Sequence, residues 1–195
     1  EESLSVGVVQ ALFAFSQCTP VRRALLLLVA HQNGPTPEAD EIRKIYTLCD
    51  VDCRGVLRND VVKSLLLDSG MPMLHAERVV TAMDTQDEGL VTWSSFVGSA
   101  TCMATNRDWK SLVLSFSLLD ADGDGEVSKE DVLKCFMVHG SDEIRWVRAL
   151  DEEWPILAGG RETCSRDLFV QFLGQKMVVV PAENFRGVRL ANRCR

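Results

Sequence analysis

Apolar positions recur at helical spacing along most of this chain. Three stripes stand out: Ile42, Ile45, Tyr46 and Cys49; Ala76, Val79, Val80 and Met83; and Leu112, Phe116 and Leu119, with Ser115 weakening one position of the third. Each stripe ends at an aspartate. Asp50, Asp84 and Asp120 follow one another at intervals of 34 and 36 residues, a period that marks an internal repeat. Five residues after each aspartate comes a glycine (Gly55, Gly89, Gly125), and two further on an apolar residue (Leu57, Val91, Val127). A second amphipathic run then begins, such as Val61, Val62, Leu65 and Leu66 or Val132, Leu133, Phe136 and Met137. The pattern predicts three helix-loop-helix units. The helix feeding the third spans Asp108 to Leu119, with Trp109 expected to pack at its start.

A fourth unit is legible in damaged form. Ser141 is placed to cap a helix containing Ile144, Val147 and Leu150, and a final helix runs from Ser165 to Gly174. Between them, Asp151 to Asp167 is too long for a normal loop and carries Pro155, Gly159 and Gly160. If Cys164 takes the eighth loop position, the twelfth is Leu168, which binds no ion; a pseudo-unit pairing with the third is expected. At the other end, residues 3 to 21 carry no charge and Ala24 to Ala30 is wholly apolar. Gln10, Gln17, Thr19, Pro20, Arg22 and Arg23 interrupt these stretches, which argues against a transmembrane helix, and no basic leader marks a signal peptide. Two helices, about Leu4 to Ser16 and Val21 to His31, are predicted instead. Such helices either lie in a groove that an open helix pair exposes or pack permanently as core, and periodicity does not separate the two. The chain starts Glu-Glu with no Met, which suggests a piece of a longer protein.

The chemistry lies in residues 120 to 131, Asp-Ala-Asp-Gly-Asp-Gly-Glu-Val-Ser-Lys-Glu-Asp. Asp120, Asp122 and Asp124 put carboxylates at loop positions 1, 3 and 5. Gly125 allows the sharp turn, Glu126 offers a backbone carbonyl at position 7, and Ser128 holds a bridging water at position 9. This is the pattern of a calcium-binding EF-hand loop, in which a hard divalent cation is ringed by oxygen. Position 12 is Asp131, where a glutamate usually binds through both oxygens. The shorter side chain weakens calcium and favours magnesium at the same site. Loop one has Arg54 at position 5 and Val61 at position 12. Loop two has Gln86, Glu88 and Ser95 at positions 3, 5 and 12, so neither is expected to bind calcium at cellular concentrations.

Composition adds exclusions. With 195 residues the chain is long enough for two lobes of about 70 residues. A net charge of −7, a sequence pI near 5.0 and no basic patch interleaved with aromatics argue against nucleic acid. Seven cysteines, an odd number, fit free thiols in a reducing cytoplasm better than a disulfide framework. Cys49 and Cys53 stand four apart, but no CxxC or HxxxH pattern completes a zinc site. His31, His75 and His139 are scattered and are expected to be ordinary surface or cap residues. The tail from Lys176 to Arg195 is locally basic; a solvated tail is expected, with contact to an acidic face the alternative that charge pattern offers.

The stretch from Val21 through Arg22, Arg23 and the leucines to Ala30, then Glu38 to Tyr46, then Asp50, resembles the calcium-dependent protein kinases. In those proteins a basic pair and an apolar helix run from the kinase domain into the first EF-hand. The likeness covers about Val6 to Gly174. It implies an all-α, calmodulin-like regulatory domain: two lobes of paired hands preceded by junction helices. The boundaries would be junction 1–34, N-lobe 35–105 with two degenerate hands, C-lobe 106–176 with one intact hand and one pseudo-hand, and a basic tail 177–195. It also implies metal ligands at Asp120, Asp122, Asp124, Glu126, Ser128 and Asp131, and a regulatory junction at Arg22 and Arg23. The implied partners are the kinase catalytic domain of the same polypeptide and the chain's own junction helix. No HRD, DFG or glycine-rich phosphate loop is present, so the chain is expected to be regulatory and not catalytic. The competing expectation is an EF-hand scaffold that holds magnesium or nothing.

Overall fold

Two helices open the chain in the computed structural model, which describes residues 3–32, 37–105, 108–137 and 143–177. Helix α1 (Val6–Ser16) starts where the Ser5 hydroxyl accepts the Val8 N–H, and α2 (Pro20–Gln32) starts at a proline, whose fixed φ suits a first helical position. Both begin within two residues of the expected bounds. The first repeat becomes α3 (Pro37–Cys49), β1 (Val56–Arg58) and α4 (Asn59–Asp68). The second becomes α5 (Met73–Met83), β2 (Leu90–Thr92) and α6 (Trp93–Thr105). The third is α7 (Trp109–Leu119), β3 (Glu126–Val127) and α8 (Lys129–Phe136), and the fourth α9 (Glu143–Leu157), β4 (Cys164–Ser165) and α10 (Arg166–Leu173). The fold is all-α, with strands of two or three residues that only join the loops.

Pairing of loops follows the eighth positions. Leu57 stands opposite Val91 in the antiparallel β1–β2 pair, and Val127 opposite Cys164 in β3–β4. All four side chains are buried, so each ladder closes over its own core. Burial next to the Glu126 charge pushes the Cys164 thiol up to about 12, so it stays a protonated, packed group.

Two compact units result. One takes residues 3–17, 37–103 and 177; the other takes 18–32, 104–105, 108–137 and 143–176. In the first unit α1 packs on α5, with Val8, Val9, Leu12 and Phe15 buried and the Phe13 ring 4.7 Å from the His75 ring. Tyr46 meets Trp93 and Phe96 edge-on at 5.0 and 5.7 Å, and its hydroxyl donates to the Val91 carbonyl. In the second unit α2 packs against α7, α9 and α10, and Phe116 meets Phe169 at 5.6 Å. The first unit thus contains α1 and the second α2.

Three expectations change on contact with the structure. The long fourth loop does not exist: α9 runs on through Asp151 and Pro155 to Leu157. Pro155 lies in the last turn, where its nitrogen has no proton to give the Asp151 carbonyl; beyond it the Gly160 N–H donates to the Pro155 carbonyl and the indole N–H of the buried Trp154 donates to the carbonyls of Arg161 and Glu162, folding the chain back. Counted with Cys164 at position 8, the loop is Leu157 to Leu168, twelve residues like the others. Trp109 does not pack at the start of α7 but is 56% exposed; the cap there is Asp108, which accepts the N–H groups of Lys110 and Ser111. Ser115, at the weak point of its stripe, is fully buried because its hydroxyl donates to the Ser111 carbonyl one turn back. Ser141, His139 and the tail beyond Met177 lie outside the described residues.

Candidate metal centre

Three glycines bend the three aspartate loops alike: Gly55, Gly89 and Gly125 have φ of +72°, +76° and +86° at position 6, which no ordinary side chain adopts cheaply. With the backbone path shared, the first carboxylate decides what each loop can do. In loop one, Asp50 accepts the N–H of Arg54 with Oδ1 (3.0 Å) and of Gly55 with Oδ2 (2.8 Å). In loop two, Asp84 accepts the N–H of Glu88 with Oδ1 (3.0 Å) and takes both the Gly89 N–H and the Asn59 amide on Oδ2 (2.8 Å each). Both oxygens of each are therefore satisfied by the protein. Arg54 also sits 2.8 Å from Asp52, placing a cation where a metal ligand would stand.

Loop three differs at one atom. Asp120 Oδ2 accepts the Gly125 N–H at 3.1 Å, but Oδ1 is shielded from solvent and has no hydrogen-bond partner. A buried carboxylate oxygen left unmatched is costly, and a cation is the group that would match it. One oxygen from each of Asp120, Asp122 and Asp124 lies within 4.8 Å of the others. Local backbone bonds aim the other two: Asp122 Oδ1 accepts the Asp124 N–H (3.4 Å) and Asp124 Oδ1 the Glu126 N–H (2.8 Å). The donor set is all oxygen, as a hard divalent ion requires, so these residues fit calcium. Among the described residues this is the one group of three or more acidic, histidine or cysteine side chains so arranged; Cys49 and Cys53 form no such cluster.

Of the remaining predicted ligands, Ser128 and Asp131 bond to each other, and Glu126, expected to offer its backbone carbonyl, uses its side chain across the ladder. Asp131 Oδ2 accepts the N–H (3.0 Å) and hydroxyl (2.6 Å) of Ser128, and Oδ1 accepts from Lys134 (3.2 Å). The Ser128 hydroxyl in turn accepts the Asp131 N–H, a reciprocal capping box that starts α8. The bonds from Ser128 hold the Asp131 carboxyl below the usual carboxylate range. The Glu126 side chain points across the β3–β4 ladder, where it accepts the Thr163 hydroxyl at 2.8 Å. In the fourth loop, Gly159 stands at position 3 with Leu168 lying over it, 3.5 Å from where a Cβ would be. An apolar side chain fills the place of the closing ligand.

Arg22 and Arg23 sit on α2 within the second unit. Arg22 donates through Nη2 to the carbonyls of Leu173 (3.2 Å) and Gln175, while its Nε is buried without a partner. Burial pushes the Arg23 guanidinium below its usual value, with Arg145 and Glu153 as its charged neighbours.

No family model matches the chain. Among curated proteins, calcium-dependent protein kinase 6 of Plasmodium berghei (strain Anka) is 29% identical over 114 residues, taking in 57% of this chain and 8% of the kinase. Guanylyl cyclase inhibitory protein of Lithobates pipiens is 24% identical over 111 residues, 57% of this chain and 52% of that protein. Calcium-dependent protein kinase 13 of Arabidopsis thaliana is 23% identical over 131 residues, 66% of this chain and 25% of the kinase. The matches span about half or less of the length of these relatives. A solved C-terminal domain overlaps 82% of this chain and 92% of its own at 18% identity, with a TM-score of 0.37 that carries no argument. Among the described residues no helix is long and apolar enough to cross a membrane. The chain has paired helix-loop-helix units, and its homologues are calcium-dependent protein kinases and EF-hand calcium sensors.

Proposed function

We propose that this chain is a calcium-responsive regulatory module whose metal binds at the third hand and which controls a serine/threonine kinase domain carried by the same polypeptide. Asp120, Asp122 and Asp124 supply side-chain oxygens, Glu126 its backbone carbonyl, Ser128 a water contact and Asp131 the closing oxygen. The observation that carries the metal assignment is the solvent-shielded, unpartnered Oδ1 of Asp120, set against Asp50 and Asp84, whose oxygens are all satisfied. The kinase assignment rests on the kinase relatives and on the basic pair Arg22 and Arg23 at the head of an apolar helix. Under this reading residues 1–34 are the junction, 35–105 and 106–176 the two lobes and 177–195 a basic tail, acting in the cytoplasm without catalysis of their own.

A second reading has an observation of its own. Asp131 is held in the Ser128 capping box and is not part of the carboxylate cluster, which favours a scaffold that keeps its shape without calcium. Calorimetric titration with calcium, with and without millimolar magnesium, separates the two. One micromolar-range site that survives magnesium and disappears in Asp120→Ala supports the sensor. Absent binding, or binding fully displaced by magnesium, favours the scaffold. Kinase activity of the whole polypeptide that ignores both calcium and Asp120→Ala would remove the regulatory assignment.

A further inference from the structure

Glu153 is a buried carboxylate on α9, 7% exposed, that no part of the metal chemistry uses. Both of its oxygens turn to the start of α2: Oε1 accepts the Val21 N–H at 2.9 Å and Oε2 accepts the Thr19 hydroxyl. Val21 N–H is one of the first amides of its helix, which have no partner within it, and the helix dipole favours a negative charge at that end. The complementary contact runs the other way. Arg22 of α2 donates to the Leu173 and Gln175 carbonyls at the end of α10, where a positive charge is favoured. The helix and the fourth hand thus cap each other's ends. Val21, Leu25, Leu26 and Val29, all fully buried, supply the apolar contact in the same unit.

We propose that Glu153 is a latch that seats α2 in the second unit independently of metal. Its anchors belong to the fourth hand, whose loop carries Gly159 and Leu168 where ligands would stand, so nothing at this contact requires an ion. An unmatched carboxylate in this position would be costly, which makes the contact all-or-none. The groove of this unit is consequently occupied by the chain's own helix, and an external helical target gains access only when the latch opens. The latch does not depend on calcium binding at the third hand.

Hydrogen exchange of the whole chain, read by mass spectrometry in calcium and in chelator, tests it. In the wild type, exchange of amides 21–32 is expected to agree within about twofold between the two conditions. Glu153→Gln keeps the size and removes the charge; it is expected to speed those amides at least about tenfold in both conditions, equivalent to about 1.4 kcal/mol. Exchange in the β3–β4 ladder, in the same unit, stays unchanged and reports that the unit carrying the latch has folded. Should Glu153→Gln not fold, Thr19→Val, which removes only the hydroxyl donor, is expected to act in the same direction. Unchanged exchange of 21–32 in whichever variant folds overturns the latch, and so does a wild-type α2 that opens more than about tenfold when calcium is removed.

Discussion

At the scale of single residues, the three repeats differ less in how many acids they carry than in what those acids are bonded to. Asp50, Asp84 and Asp120 all take the first place of a loop with the same glycine bend, yet only Asp120 keeps an oxygen unmatched. Backbone amides of Arg54, Gly55, Glu88 and Gly89, with the Asn59 side chain, have turned the other two into loop staples. The same logic bears on Asp131. A glutamate there would reach one methylene further and still accept the Ser128 amide at the third position of α8, where glutamate is the usual capping-box partner. Asp131→Glu is therefore expected to tighten calcium about tenfold without loss of thermal stability. Calorimetric titration beside a melting curve checks it. Unchanged affinity would mean that the closing position contributes nothing to binding.

At the scale of elements, helices and strands were mostly legible because their causes are local. The stripes through Ile42, Ala76 and Leu112 and the apolar eighth positions follow from period alone, and so does the pairing of Val127 with Cys164. The gathering of Asp120, Asp122 and Asp124 was equally legible, since loop spacing brings them together. The misread parts depend on contacts that no window of sequence contains. Pro155 looks like a helix breaker until Trp154 is seen tying the turn after it to the carbonyls of Arg161 and Glu162. Ser115 looks polar until its hydroxyl is seen bonded one turn back. Glu153 gave no signal, because a glutamate on an amphipathic helix is unremarkable until Thr19 and Val21 arrive from more than a hundred residues away. The fourth loop allows a direct test. Gly159 has φ of +62°, so Gly159→Ala imposes backbone strain, while its Cβ would meet Leu168 at ordinary contact distance, 3.5 Å. It is expected to cost about 1–2 kcal/mol in denaturant unfolding, with the third hand's metal affinity unchanged. No loss of stability would show that the backbone there relaxes out of the left-handed region at no cost.

At the scale of the whole molecule, the question is how much one ion can do. A single site at calcium tenfold above its dissociation constant stabilises the bound state by about 1.4 kcal/mol. Moving a switch from 1:99 to 99:1 takes about 5.5 kcal/mol of differential binding. One site therefore biases an equilibrium that other contacts have already brought near balance; it does not drive one alone. Asp50 and Asp84, the first-position aspartates of the first unit, have both oxygens satisfied internally, while Asp120 in the second unit keeps Oδ1 unmatched. Calcium is accordingly expected to act on one unit only. Hydrogen exchange should slow about tenfold in β3, α7 and α8 when calcium saturates the site, the kinetic equivalent of that same 1.4 kcal/mol, while α3 to α6 stay within about twofold. If the amides of α3 to α6 slowed as much, loops one and two would have to bind ions through groups other than their first aspartates, and the division of labour among the hands would fail. If nothing slowed in either unit, the orphaned oxygen would be a defect that the second unit tolerates, and shape alone, not calcium, would be what the chain contributes to its partner.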